Sequence, residues 1–79
     1  MNERKVNIME YLMITTLVNV DDEDEVSICT YKCKSKMFAS KLFTFAVNDY
    51  LEHVERWNAD ICVIDVNTME TVLNFKHVR

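Results

Sequence analysis

The first third of the chain has the pattern of two strands joined by a charged turn. Residues 8–20 and 26–34 are rich in β-branched and aromatic residues, which is typical of strands. An acidic run, residues 21–25, separates them, and a hairpin is the simplest connection between two such segments. We therefore predict an N-terminal β-hairpin, with a helical start over residues 3–12 as the alternative.

The hydrophobic period changes at Ser35, and residues 36–57 have the spacing of an amphipathic helix of about six turns. Ser35 is suited to be the N-cap, although Phe38 at the N3 position excludes a capping box. Polar side chains fall opposite an apolar stripe. That stripe consists of Ala39, Leu42, Phe43, Ala46, Val47, Tyr50, Leu51, Val54 and Trp57.

Two further apolar segments, residues 61–66 and 71–78, predict a second hairpin that turns around Asn67 and Thr68. The predicted order is ββαββ in a single α+β domain over residues 1–79. Because the helix returns the chain, the third strand runs antiparallel to the first and can lie beside it. We therefore predict a four-stranded antiparallel sheet of order 2-1-3-4, with one long helix packed on one face.

Composition removes several classes of function. The chain contains no Gly and no Pro, so phosphate-binding loops, dinucleotide fingerprints and EF-hands are excluded. Turns that need a positive φ must use Asn or Asp or avoid that region. No apolar run approaches the roughly 18 residues of a membrane span, and the charged N-terminus lacks a signal-peptide cleavage site. Three cysteines, an odd number, favour a reducing cytosol.

The titratable residues predict no catalytic or metal site. Each cysteine would need His53 or His77 as its base, and nothing in the sequence places a histidine beside a thiol. Cys29 and Cys33 would lie about 13 Å apart on one strand face, too far for two ligands of one zinc ion. A zinc site from Cys62 and His77 is the alternative. We expect a protein that is not an enzyme and carries no metal or cofactor.

The acidic run and the helix aromatics are the candidate partner-binding residues. At a hairpin tip, the run can dock on a basic protein surface or imitate the spacing of nucleic-acid phosphates. It can also attract a divalent cation weakly, or serve only as a solvated turn. The aromatics stack on one helix flank, where another protein can cover them or where a wide stripe rests on the sheet. The predicted residues are Asp21, Asp22, Glu23, Asp24, Glu25, Phe38 and Phe45.

A lysine cluster of opposite sign indicates an alternative, a nucleic-acid-binding regulator. Lys32, Lys34, Lys36 and Lys41 lie near Tyr31 in the sequence. The net charge of −4 opposes this interpretation, because phosphate contacts dominate such affinity. Lysine on an edge strand also discourages unwanted strand pairing.

The central strands are apolar on both sides, although one helix shields only one face of a sheet. We therefore expect the other face to be covered, by a second copy of the chain in a homodimer. The pattern does not decide which side faces the helix. The side assigned to the dimer interface consists of Met9, Tyr11, Met13 and Leu17.

These features predict a cytoplasmic, non-enzymatic protein-binding module, a small adaptor or inhibitor of a larger protein with a basic surface. Short acidic chains without catalytic groups are common among phage-encoded inhibitors of host enzymes or defence nucleases, which act in the host cytoplasm. Nucleic acid and membrane are not expected as partners.

Overall fold

The fold is a four-stranded antiparallel sheet with a helix on one face. The computed structural model describes residues 10–79. Its elements are β1 Tyr11–Asn19, β2 Val26–Cys33, α1 Lys36–Leu51, β3 Trp57–Asp65 and β4 Glu70–His77. The strand order is β2-β1-β3-β4, and every neighbouring pair is antiparallel. The predicted α+β class and strand order are confirmed.

The helix is shorter than predicted. It begins after Ser35, whose hydroxyl accepts a hydrogen bond from the Phe38 N–H at 3.0 Å, but it ends at Leu51 rather than at residue 57. Trp57 instead starts β3, where it is opposite Asn19 of β1. The apolar spacing continues past the helix end because a turn and a strand pack on the same core. Pairing along the whole of β1 decides where the helix must stop.

The alternative N-terminal helix receives no support from the described residues. Tyr11 and Leu12, which belong to the segment 3–12, are the first two residues of β1. The rest of that segment up to residue 9 lies outside the described residues, as do residues 8 and 9 of the predicted first strand.

The core lies between α1 and the odd-numbered side of β1. Met13 is opposite Val63, and both are almost fully buried, as is the neighbouring Ile61. Ala39 of α1 is fully buried in this core, and its small side chain lets the helix backbone pack near the sheet. Partly buried side chains on α1 and β4 extend this core sideways.

This arrangement corrects the predicted dimer interface. Tyr11 and Met13 are buried beneath the helix, and Leu17 is half-buried on the same side, packed against the core. Met9 lies outside the described residues. A side chain that is almost fully buried in its own chain offers no surface to a second copy, so the assignment to the dimer interface is wrong for Tyr11 and Met13. The uncovered face carries the even-numbered residues of β1.

The turn between β3 and β4 contradicts the expectation that Asn or Asp takes any positive φ. Met69 has a φ of 62°, within the left-handed region. Its N–H donates to the Asp65 carbonyl at 2.7 Å, and the Asn67 N–H donates to the Asp65 side chain at 2.9 Å. The geometry of the turn therefore imposes a positive φ on its last residue, Met69, although the residue type does not favour it.

Candidate protein-binding surfaces

The acidic tip, residues 21–25, is an ordered turn built without glycine. The Asn19 side chain accepts a hydrogen bond from the Asp21 N–H at 2.8 Å, and the Asp22 carboxylate accepts one from the Asp24 N–H at 3.1 Å. The Asn19 amide also donates to the Glu25 carboxylate at 2.9 Å. These side-chain turns replace the glycine that tight hairpins usually need. All five acidic residues are exposed.

The tip lies beside the turn that follows the helix. The Val20 N–H donates to the Arg56 carbonyl at 2.9 Å, which joins the tip to that turn. Three more exposed acids come from the helix end and the turn. Together they form one acidic end of the molecule. The acidic end consists of Asp21, Asp22, Glu23, Asp24, Glu25, Asp49, Glu52 and Glu55.

The lysines gather at the opposite end. The strand β2 leaves the tip and finishes where α1 begins, so the last residues of β2 and the first residues of α1 are neighbours. Four exposed lysines occupy this region and form the basic end of the molecule. The basic end consists of Lys32, Lys34, Lys36 and Lys41. Acids therefore outnumber bases at the tip, although Arg56 and Arg79 also lie there. Lysines gather at the other end, near Glu10 and Glu70.

This separation opposes the helix dipole. Partial positive charge gathers at a helix N-terminus and partial negative charge at its C-terminus, so acids stabilise the start and bases the end. In α1 the first turn contains no acid and the last turn contains no base. The basic end adjoins the start of α1 and the acidic end adjoins its finish. Helix stability therefore does not explain this charge distribution.

A groove separates the helix from β2. Its volume is about 660 Å³, within the range of ligand-binding clefts, and both the helix and the β-hairpin line it. Phe45 is 69% exposed on the helix side, and Tyr31 is 48% exposed on the strand side. Asp49 and Arg56 lie in the wall near the acidic end. The groove leaves a large aromatic surface in contact with water.

The two predicted helix aromatics therefore differ in their surroundings. Phe45 lines the groove, whereas Phe38 is exposed but is not among the lining residues. Tyr31 and Cys29, which the sequence analysis did not assign to partner binding, lie opposite Phe45 across the groove. Their odd-numbered spacing on β2 was the available signal, because alternate residues of a strand share one face.

The sheet face away from the helix, called here the open face, is uncovered among the described residues. It carries the even-numbered residues of β1 and their partners on the neighbouring strands, and Ile28 on β2 is the most exposed of the apolar ones. Asp60 and Asn74 form a polar corner, joined by a hydrogen bond of 3.2 Å. The apolar members of the open face are Leu12, Ile14, Val18, Val26, Ile28, Cys62 and Ile64.

A buried hydrogen-bond network fixes the end of the helix. The Tyr50 hydroxyl donates to the Trp57 carbonyl at 2.5 Å and lies 2.8 Å from His77 Nδ1. Since the hydroxyl proton goes to Trp57, His77 Nδ1 carries the hydrogen and donates to the Tyr50 oxygen. Burial raises the pKa of Tyr50. No local sequence pattern indicates this network, because it joins residues 27 positions apart.

The cysteines occupy three different environments. Cys33 is buried, Cys62 is half-buried on the open face and Cys29 is exposed in the groove. Burial raises the pKa of Cys33, and burial together with the Asp60 carboxylate raises that of Cys62. Within residues 10–79, no three His, Cys, Asp or Glu side chains are grouped as a metal site.

Comparison with known proteins identifies no relative: no protein family, curated protein or solved structure matches this chain. Over residues 10–79, no helix has both the length and the apolar content needed to cross a membrane.

Proposed function

We propose that this chain is a non-enzymatic protein-binding module, a small cytoplasmic adaptor or inhibitor that docks on a larger protein with a basic surface. The observation that carries the proposal is the acidic tip. Its five carboxylates are exposed. Hydrogen bonds from the Asp21 and Asp24 N–H groups order the backbone of the turn, and the Asp22 and Glu25 carboxylates themselves accept hydrogen bonds. An ordered array of like charges favours electrostatic attraction of an oppositely charged surface and speeds its association.

An apolar surface adjoins the tip. Val18 and Val26 pair with each other at the base of the tip, and both lie on the open face. Val26 directly follows the tip residues, and Asn19 and Val20 separate Val18 from them. A basic partner that contacts the carboxylates can therefore reach apolar side chains in the same interface. Charges around an apolar centre are the usual composition of a protein interface.

The matched variants for testing this proposal remove equal charge from the two ends of the molecule. Asp21→Asn with Glu23→Gln removes two charges from the tip and leaves in place the side chains that hold the turn. Glu10→Gln with Glu70→Gln removes two charges at the opposite end of the sheet. Purified chain on beads is used to capture proteins from a lysate, with and without nuclease treatment.

The tip variant should lose a captured protein that the wild type and the control variant retain, and salt at about 0.5 M should release that protein, because screening weakens exposed charge pairs. Equal capture by both variants at low salt would show that the tip is only a solvated turn. Capture that nuclease abolishes would instead support the alternative, a nucleic-acid-binding regulator that uses Lys32, Lys34 and Lys36.

A further inference from the structure

We propose that two copies of this chain pair antiparallel through the outer edge of β2, about a two-fold axis at Cys29. The two four-stranded sheets then form one continuous sheet of eight strands. This inference goes beyond the proposed function, because it concerns self-association and leaves the open face accessible. It also moves the expected homodimer contact from a sheet face to a strand edge.

The edge of β2 is available for pairing. Among residues 10–79, β2 pairs only with β1, and all its residues except Cys33 are exposed. The Asn19 N–H donates to the Glu25 carbonyl at 3.0 Å. Because hydrogen-bonded pairs alternate along antiparallel strands, the odd-numbered residues of β2 form their backbone hydrogen bonds with β1. Even-numbered residues of β2 therefore direct their N–H and C=O groups outward. Such an edge is a template for another strand.

Charge selects the antiparallel direction. The acidic tip precedes β2 and the basic end follows it. A parallel pair of β2 strands would place lysines beside lysines and acids beside acids, which is unfavourable. In the antiparallel pair, Lys34, just past the end of β2, comes near Asp24, in the turn just before β2 of the second copy, and the symmetry repeats this contact. The lysines that discourage other pairings therefore favour this one.

The backbone pattern and the charges agree on one register. With the axis at Cys29, Ile28 exchanges two backbone hydrogen bonds with Thr30 of the second copy, and Val26 does so with Lys32. All four have outward backbone groups. The two Cys29 residues then form a non-hydrogen-bonded pair, in which Cα atoms are about 4.5 Å apart. This register pairs nearly the whole length of β2.

The same pairing explains the exposed aromatics of the groove. Tyr31 projects from β2 toward the helix side, and the exposed Phe45 of α1 lines the same groove. The second β2 strand extends the floor of the groove beneath Phe45. The grooves of the two copies then meet about the axis and shield each other's aromatic side chains from water.

Oxidative cross-linking tests the geometry. Wild-type chain and Cys62→Ser should form a disulfide-linked dimer under copper–phenanthroline oxidation, whereas Cys29→Ser should not. Mass spectrometry should identify a Cys29–Cys29 link. A link through Cys62 would show that the open faces meet, which overturns the edge pairing. A monomer in sedimentation equilibrium at about 100 µM would overturn the dimer itself.

Charge exchange tests the register. Lys34→Glu and Asp24→Lys should each raise the dimer dissociation constant about tenfold at low salt, because each creates like-charge contacts at two symmetric positions. The double variant should return to within about threefold of wild type. Glu70→Lys, at the far edge of the sheet, should leave the constant unchanged. Failure of the double variant to recover affinity would refute the register, and circular dichroism checks that each variant is folded.

Discussion

At the scale of single residues, Met69 carries the clearest local cost. It has a positive φ and is 72% exposed, so its side chain gains little from packing. The left-handed conformation costs a residue with a Cβ atom roughly 1–2 kcal/mol. The hydrogen bond from its N–H to Asp65 holds the conformation in place. Since the chain contains no glycine, that cost remains in the folded state.

Met69→Gly should therefore stabilise the fold. We expect the free energy of unfolding to rise by about 0.5–1 kcal/mol, because the relief of strain exceeds the extra entropy of glycine in the unfolded chain. Urea unfolding followed by Trp57 fluorescence measures the change. Thr68→Gly is the control in the same turn, at a position with no positive φ. It should destabilise, because glycine adds entropy to the unfolded chain and the Thr68 hydroxyl no longer accepts the Glu70 N–H. An increase for both variants would contradict the strain argument.

At the scale of elements, local sequence determines where α1 begins, and tertiary contacts determine where it ends. Ser35 caps the start of the helix by accepting a hydrogen bond from the N–H of Phe38, three residues later. A cap of this kind can be recognised from the sequence. The helix end depends on β3 pairing with β1 and on the Tyr50 network, which joins distant segments. The charges along α1 oppose its dipole at both ends. Helix stability therefore does not explain their placement.

Lys36→Glu should stabilise the isolated fold, because it places a negative charge in the first turn of α1. The expected gain in unfolding free energy is about 0.3–1 kcal/mol at low salt, and it should shrink as salt is added. Lys41→Glu makes the same charge change beyond the first turn and should give a smaller gain. Chemical denaturation of both variants measures the difference, and an equal gain would assign the effect to net charge.

At the scale of the whole molecule, burial of titratable groups makes stability depend on alkaline pH. The pKa values of Tyr50, Cys33 and Cys62 are all raised in the fold, chiefly by burial. Raised values mean that the unfolded chain releases these protons first. Stability is therefore complete below the ordinary thiol and phenol values, about 8.5 and 10, and is lost as the pH rises through the folded values.

Tyr50→Phe separates the contribution of the Tyr50 phenol from that of the Cys33 and Cys62 thiols. At neutral pH the variant should lose about 1–3 kcal/mol, because the Trp57 carbonyl and His77 each lose a buried partner. Above pH of about 10 its stability should fall less steeply than that of the wild type, since no buried phenol remains to ionise. Unfolding titrations at neutral and alkaline pH check both effects. Parallel pH curves would contradict a contribution from Tyr50.

The uneven distribution of charge between the two ends of the molecule is also apparent only at this scale. The acidic run and the lysines are visible as separate features of the sequence. The return of α1 toward the hairpin tip adds Asp49, Glu52 and Glu55 to the acids and brings Lys36 and Lys41 to the lysines of β2. The result is one acidic end, one basic end and an apolar groove between α1 and β2.

Local chemistry was enough to determine the element order, the strand directions and the exposed acidic tip. Each of these depends on a residue period or on neighbours within a few positions. Tertiary structure alone decided the helix end, the buried side of β1 and the Tyr50–His77 contact, because each requires segments far apart in the chain to meet. Met13 illustrates the limit: strand alternation separated two apolar sides, but only the position of α1 determined that Met13 is buried and that Ile14 lies on the open face.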